Sequence, residues 1–285
     1  MRVHFDEPSH TYTDTQTNQD YISVTTLIGL YTPPFDTDYW ATYKAVKDVL
    51  EPVGLWFTYK RKAGGWEGVV DFYKRRGAAP YDTGIEERKQ WYIQKWKEDS
   101  DKACELGTAR HKEKEIEILG QEVIKKKNVD HTTHSGDIEV FKGVENGIFA
   151  ELLIYDTEYH VAGQADVIYK TGNQVVIKDY KTNKKITNEP FNNERMLPPV
   201  DELYDTTFNH YMLQLSTYGY LLERQGFKIQ ELEIIHLNRE TGQLVTTIKM
   251  PYRPDLVKLM IEDYLSQQSH SGCISDSNNN VITFK

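Results

Sequence analysis

The 285-residue sequence predicts an α/β protein whose core runs helix, three strands, helix, two strands, helix, with a helical elaboration before it. Three observations carry this. Apolar runs of strand length occur at about residues 148–156, 159–170 and 174–181, with Gly172-Asn173 supplying a tight turn between the last two. Helix-like patterns flank them at residues 85–119 and 207–225. Two further strand patterns, 231–238 and 243–249, precede a helix at 254–268.

From the N-terminus, His4-Phe5 and Thr11-Tyr12-Thr13 read as a small hairpin, with turn-favouring Pro8-Ser9, leading into a short helix that ends near residue 28. Pro33-Pro34 breaks the chain, and Asp36 is placed to cap a helix through Leu50. Gly54, Gly64-Gly65, Gly68, Gly77 and Pro80 punctuate shorter helical pieces before the long helix at 85–119. Residues 121–137 are polar and predict a loop. Residues 183–206, with Pro190, Pro198 and Pro199, predict a long connection. The division is therefore 1–35, a hairpin and short helix; 36–105, a helical region; and 106–285, the α/β core.

The chemistry concentrates in the core. Asp179-Tyr180-Lys181 closes the apolar run Val175-Val176-Ile177, and Asp166 lies on the expected partner strand. An Asp-x-Lys triplet turns up about once by chance in a chain of this size, so its setting is what matters. With Gly172 and Asn173 in the turn, Thr171 pairs with Gln174 and Asp166 falls opposite Asp179. Two carboxylates at one level repel, and a hard divalent cation with oxygen ligands removes the repulsion. Lys181 points to the same face as Asp179. A reversal near Glu158 brings Glu151 level with Asp166 on a third strand. His111 and Glu115 share one helix face, as do Gln214 and Tyr218. Each feature alone also suits a plain surface hairpin or a polar helix edge.

In chain order, Gly107-Thr108-Ala109-Arg110-His111, Glu151, Gly163-Gln164-Ala165-Asp166, Asp179-Tyr180-Lys181-Thr182 and Gln214 with Tyr218 resemble the PD-(D/E)XK nuclease superfamily, in its RecB-like branch. The resemblance covers about residues 104–240. It extends to single-domain members, the mitochondrial genome maintenance exonuclease and phage-encoded exonucleases. The segment from Ile22 to Ile28, with Pro34-Phe35-Asp36, also resembles the phage proteins.

The resemblance implies a restriction-endonuclease-like core, a central mixed sheet flanked by helices, and residues 183–206 bordering a substrate channel. It implies phosphodiester hydrolysis with Mg²⁺ or Mn²⁺ held by Asp166, Asp179, His111 and the Tyr180 main-chain carbonyl. A histidine ligand favours Mn²⁺ relative to an all-oxygen site. Lys181 would orient the attacking water, and Glu151 would bind a second metal or hold the other groups in place. Gln214, Tyr218, Thr182 and Glu115 would meet the substrate, leaving 5′-phosphate and 3′-hydroxyl ends. The expected partner is DNA, single-stranded, with a single-strand-binding or annealing protein as companion. Two alternatives stay open: a nuclease acting on duplex ends, flaps or branches, and a non-catalytic DNA-binding module on the same fold.

Composition narrows the frame. No apolar run is long enough to span a membrane, and Met1 to His10, with Asp6 and Glu7, is not a targeting peptide. Two cysteines, Cys104 and Cys273, exclude a disulfide framework and a four-cysteine iron–sulfur cluster, and they fit a cytoplasmic setting. The net charge of −9 is unevenly spread: residues 59–127 hold 17 Lys+Arg against 13 Asp+Glu, and the rest 17 against 30. Basic charge concentrates at Lys60-Arg61-Lys62, Lys74-Arg75-Arg76, Arg88-Lys89 and Lys125-Lys126-Lys127. All five tryptophans fall in or just before this region. Basic and aromatic side chains together suit a single strand, which needs phosphate neutralisation and base stacking. Most of these aromatics are expected to form the core of the helical region, with a minority touching DNA.

Overall fold

The computed structural model describes residues 2–6, 9–120, 123–126 and 129–275. Strands β1 (Val3–Asp6), β2 (Thr11–Asp14) and β3 (Asp20–Ser23) form an antiparallel meander. Glu7 and Pro8, in the expected first turn, lie outside the described residues. Asp14 fixes the second turn: its carboxylate accepts the Gln16 and Thr17 N–H groups, Arg2 Nε and the Tyr21 hydroxyl. Ser23 then caps α1 (Val24–Gly29) by accepting the Thr26 N–H at 2.9 Å.

Residues 34–106 make a compact unit of their own. It holds α2 (Thr37–Leu50), α3 (Trp56–Lys62), α4 (Val69–Arg76) and the first part of α5 (Ile85–Leu119). Asp36 caps α2 through the Tyr39 N–H at 2.8 Å. The unit's core is Ala45, Val46, Leu50, Trp56, Val69, Ala78 and Ile85. The expected aromatic core is corrected here. Of the five tryptophans only Trp56 is buried, while Trp91 is exposed and Phe57 is 78% exposed. Small aliphatic side chains and Trp56 fill the short interhelical space, Tyr43, Tyr59, Tyr73 and Tyr81 pack against them, and most rings are half-buried. Several carry cations: Arg88 and Lys95 lie over Trp91, and Arg76 over Phe72.

Residues 1–33 and 107–285 form the second unit. Its further elements are β4 (Val123–Lys126), β5 (Val129–His134), α6 (Ile138–Gly143), β6 (Asn146–Asp156), β7 (Val161–Thr171), β8 (Gln174–Lys181), α7 (Thr207–Arg224), β9 (Lys228–Leu237), β10 (Leu244–Met250) and α8 (Pro254–Ser275). The loop expected at 121–137 is instead a β4–β5 hairpin, with β5 parallel to β6 through Thr132↔Gly147. Val123, Ile124, Val129, Thr132 and Thr133 are β-branched residues, which favour strands. The short helix α6, capped by Asp137, was not foreseen either. Residues 1–35, read as a segment apart, reach the sheet: β3 lies parallel to β7 through Ile22↔Val161 and Ser23↔Ala162.

The ten strands make one branched mixed sheet. The pair β6–β7 is antiparallel, as are β7–β8 and β9–β10, whereas β8–β9 is parallel. A parallel neighbour needs a crossover, which residues 183–206 and α7 supply. One sheet face is packed by α1 and α7, with α8 against both helices, and Phe149, Ile168 and Ile177 share one core with Leu213, Leu221 and Val257. Each such side chain contributes about 1.5–3 kcal/mol by leaving water. On the other face the end of α5 sets Ile118 against Ile148, Ala150 and Val167. Among the described residues, no helix is long and apolar enough to cross a membrane.

Lys170 is 3% exposed, yet its ammonium is satisfied. It donates to the Phe141 carbonyl at 2.7 Å and to the Val144 carbonyl, and lies over the rings of Phe141 and Phe227. Burial lowers its pKa, partly offset by Glu145. Lys170→Ala should therefore take the ammonium from the Val144 carbonyl and from the Phe141 carbonyl, which keeps only the Val144 N–H, and leave a cavity beside them, costing about 2–4 kcal/mol. The check is the denaturant midpoint, which should fall without a change in the slope.

Candidate active site

The β7–β8 hairpin assembles the site by register. Gly172 takes φ 57°, which a side chain would resist, and Thr171 pairs with Gln174. The ladder then runs to Val167↔Lys178. One step beyond, Asp166 and Asp179 come level, and the Tyr180 N–H donates to Asp166 Oδ2 at 2.6 Å. On the opposite edge of β7, Ala150 faces Val167 and Leu152 faces Ala165, so Glu151 stands level with Asp166. Glu151 has φ 49°, a left-handed conformation that costs a non-glycine residue about 1–3 kcal/mol and clusters at functional sites.

Helix α5 adds His111, whose Nδ1 is 3.3 Å from Asp166 Oδ2. Helix α7 adds Gln214, whose Nε2 lies 3.3 Å from Asp179 Oδ1 and 3.2 Å from the Tyr218 hydroxyl. Lys181 Nζ is 2.5 Å from Asp179 Oδ2 and 5.0 Å from the centre of the Tyr211 ring, whose hydroxyl is bonded to Asn183 Oδ1. Asp166 is 8% exposed and Asp179 1%. Glycine allows the close approach of α7: a Cβ on Gly163 would lie 2.8 Å from Tyr218 Cε1 and 3.0 Å from Val24 Cγ2.

The crowding of carboxylates sets the electrostatics. Burial raises the Asp166 pKa, but the hydrogen bond and charge of His111, with Lys181 and the Tyr180 N–H, hold it below its ordinary value. Burial and then the Asp166 charge push Asp179 up to about 6, against the pull of Lys181. Burial, Asp166 and Glu115 push Glu151 up to about 8. Burial opposes protonation of His111, yet Asp166 and Asp179 raise it to about 9. Burial likewise opposes the charge on Lys181, and Asp179 and Asp166 prevail.

Donor atoms of His111, Glu151 and Asp166 lie within 4.8 Å of one another. One imidazole nitrogen and several carboxylate oxygens suit Mg²⁺ or Mn²⁺, and a cation would relieve the repulsion that raises Glu151. Asp179 stands beside this group, paired with Lys181 and Gln214. Of the remaining predicted residues, Tyr180 sets its ring edge-on to His111 at 6.3 Å. Thr182 is buried, with its hydroxyl 3.6 Å from where a Gly107 Cβ would stand. Glu115 ion-pairs with Lys112 at 2.6 Å. Lys127 lies outside the described residues.

Sequence reasoning missed Tyr211, although it lies three residues before Gln214 and so on the same helix face. It also gave the N-terminal segment no site role. Phe5, His10, Tyr12, Ser23, Thr25 and Thr26 line a cleft of about 380 Å³ together with Glu151, Gly163 and Tyr218. No local signal could have found this, because it rests on the β3–β7 pairing.

Without a cation, the folded site holds protons that the unfolded chain releases. The stabilisation from His111 is complete below its ordinary 6.5 and lost as pH rises through about 9. The penalty for ionising Glu151 is absent below its ordinary 4.5 and develops as pH rises through about 8. Both act in the same direction, so metal-free protein should lose stability between pH 6 and 9. Melting curves across that range should show a falling Tm, flattened by Glu151→Gln. Mn²⁺ should raise Tm more at pH 8.5 than at pH 6, since binding displaces the same protons.

The sequence model of the PD-(D/E)XK nuclease superfamily matches residues 71–267, about two thirds of the chain. Comparison with curated proteins finds no match. Nucleases of this superfamily use divalent metals, in keeping with the nitrogen and carboxylate donors gathered around Asp166. The family match and the mixed sheet flanked by helices agree on one conclusion: the chain belongs to the PD-(D/E)XK nuclease superfamily, and its activity is that of a nuclease.

Proposed function

We propose that the protein is a metal-dependent DNA exonuclease of the RecB-like branch, preferring single-stranded ends and acting in the cytoplasm. The observation that carries the reading is the convergence of His111, Glu151, Asp166, Asp179 and Lys181 on one buried place, with Gln214 and Tyr218 against it. The preference for single strands is supported by the half-exposed and exposed rings of residues 34–106, several under a cation. Cys104, free and exposed, suits a reducing compartment.

His111, Glu151, Asp166 and Asp179 would hold Mg²⁺ or Mn²⁺, with the Tyr180 main-chain carbonyl. When bound, the cation supplies charge for a phosphoryl oxygen and acidifies water. Lys181, fixed between Asp179 and the Tyr211 ring, orients the attacking water and offsets phosphate charge. Asp179 keeps the lysine protonated and aimed. Gln214 locks Asp179 from the far side and, with Tyr218, lends α7 to positioning the strand.

Asp179→Asn should abolish cleavage with the fold intact, read by circular dichroism beside a gel assay; activity retained in metal would remove Asp179 from the site. Lys181→Ala should lower turnover by about 100-fold or more while single-strand binding changes far less. A linear oligonucleotide should be degraded from an end and a closed single-stranded circle should resist. Rapid cutting of circles would move the assignment to an endonuclease, and equal cutting of duplex ends to a resecting enzyme. Neutralising Arg75 and Arg76 together should flatten the salt dependence of binding, by about one unit of slope for each phosphate that no longer meets a cation.

A further inference from the structure

Phe5, His10 and Tyr12 stand ring over ring beside the site. Phe5 lies 4.7 Å from Tyr12, with planes 24° apart, and 5.6 Å from His10, with planes 19° apart. The stack leads inward from solvent: His10 is exposed, Phe5 half-buried and Tyr12 buried. At its inner end Tyr12 lines the cleft beside Gln164 and Glu151, and burial and then the Glu151 charge push the phenol up to about 12. The aromatic ladder therefore shares its cleft with Glu151, a residue of the candidate metal group.

The same cleft is lined by Ser23, Thr25 and Thr26. Ser23 Oγ donates to Thr26 Oγ1 at 2.7 Å and accepts both the Thr26 N–H and the Thr25 hydroxyl, the latter at 3.1 Å, which leaves the Thr26 O–H to donate elsewhere. Thr25 and Thr26 are both exposed. Among the described residues, no lysine or arginine lines the cleft. It offers flat rings and a hydroxyl donor, and no cationic side chain for a phosphate.

We propose that this cleft is a nucleotide subsite. An unpaired base of the substrate strand, next to the bond being cut, stacks on His10 and Phe5, and its phosphate accepts from the Thr26 hydroxyl. The inference rests on the exonuclease reading above and gives it a physical basis for choosing single strands. A base inside a duplex has both faces covered by its neighbours, whereas an unpaired base offers a free face to an aromatic platform. Because no cationic side chain takes part, the subsite's contribution to binding is insensitive to salt and to base identity.

The test combines substrate and protein changes. A single abasic residue is walked along a single-stranded oligonucleotide, and cleavage is measured with wild type, His10→Ala and Phe5→Leu. Binding of the intact oligonucleotide to metal-free protein is measured at several salt concentrations. For wild type, one abasic position beside the cut should lower kcat/KM by about 5- to 100-fold, the worth of one base–aromatic stack. In Phe5→Leu the same abasic residue should cost little further. His10→Ala and Phe5→Leu should both weaken metal-free binding without changing its salt slope. An abasic penalty of equal size in wild type and Phe5→Leu would overturn the subsite, as would a wild type indifferent to every abasic position. His10 is exposed, and with the fold of His10→Ala checked by circular dichroism, unaltered binding in that variant also counts against the subsite. A wild type that cuts no single strand defeats the exonuclease reading instead, which separates the two failures.

Discussion

Asp166 and Asp179 stand at one level on neighbouring strands, almost out of reach of water. Two such carboxylates resist ionising together, because each raises the cost of charging the other and burial raises both. The surrounding elements are arranged around that constraint. His111 on α5 and the Tyr180 N–H take Asp166; Lys181 and Gln214 on α7 take Asp179. A helix is thus held to each aspartate by hydrogen bonds in a region of low dielectric, where removing one partner strands a charge. Glu151 is left over, and its raised pKa marks the place where a cation would complete the balance.

Local cost accompanies this arrangement. Glu151 sits in a left-handed conformation in mid-strand, and Gly163 gives up a side chain so that Tyr218 and Val24 can press against β7. That close packing also brings α1 to the site, and with it the preceding meander. The N-terminal residues border the chemistry because the edge of β7 runs on beyond β8 and accepts β3 as a parallel partner.

Residues 34–106 follow a different logic. Their core is small and largely aliphatic, so aromatic rings gain more by half-burial under a lysine or arginine than by competing for interior space. Sequence composition led us to expect the rings inside. Helices of 7 and 8 residues, α3 and α4, bury one ring, Trp56, and hold Tyr59 and Tyr73 half-buried against the core.

By itself the sequence determined the core's element order and the level at which its acids meet. A tight Gly172-Asn173 turn and a period of two along each strand leave only one register, so Asp166 had to face Asp179, and a reversal near Glu158 had to bring Glu151 level with them. The strand lengths and the long α5 were legible for the same reason, as local patterns with fixed periods. What tertiary structure alone decided lies where two distant segments meet. Residues 129–134 became a strand because β6 offered an edge, and residues 123–126 paired with them in turn. Phe5, Tyr12 and the threonines of α1 joined the site because β3 docked on β7. Which carboxylate stands with His111 and Glu151, and which with Lys181, was also settled there. Periodicity sets which face a side chain occupies. Packing of non-local elements sets its neighbours, and with them its charge.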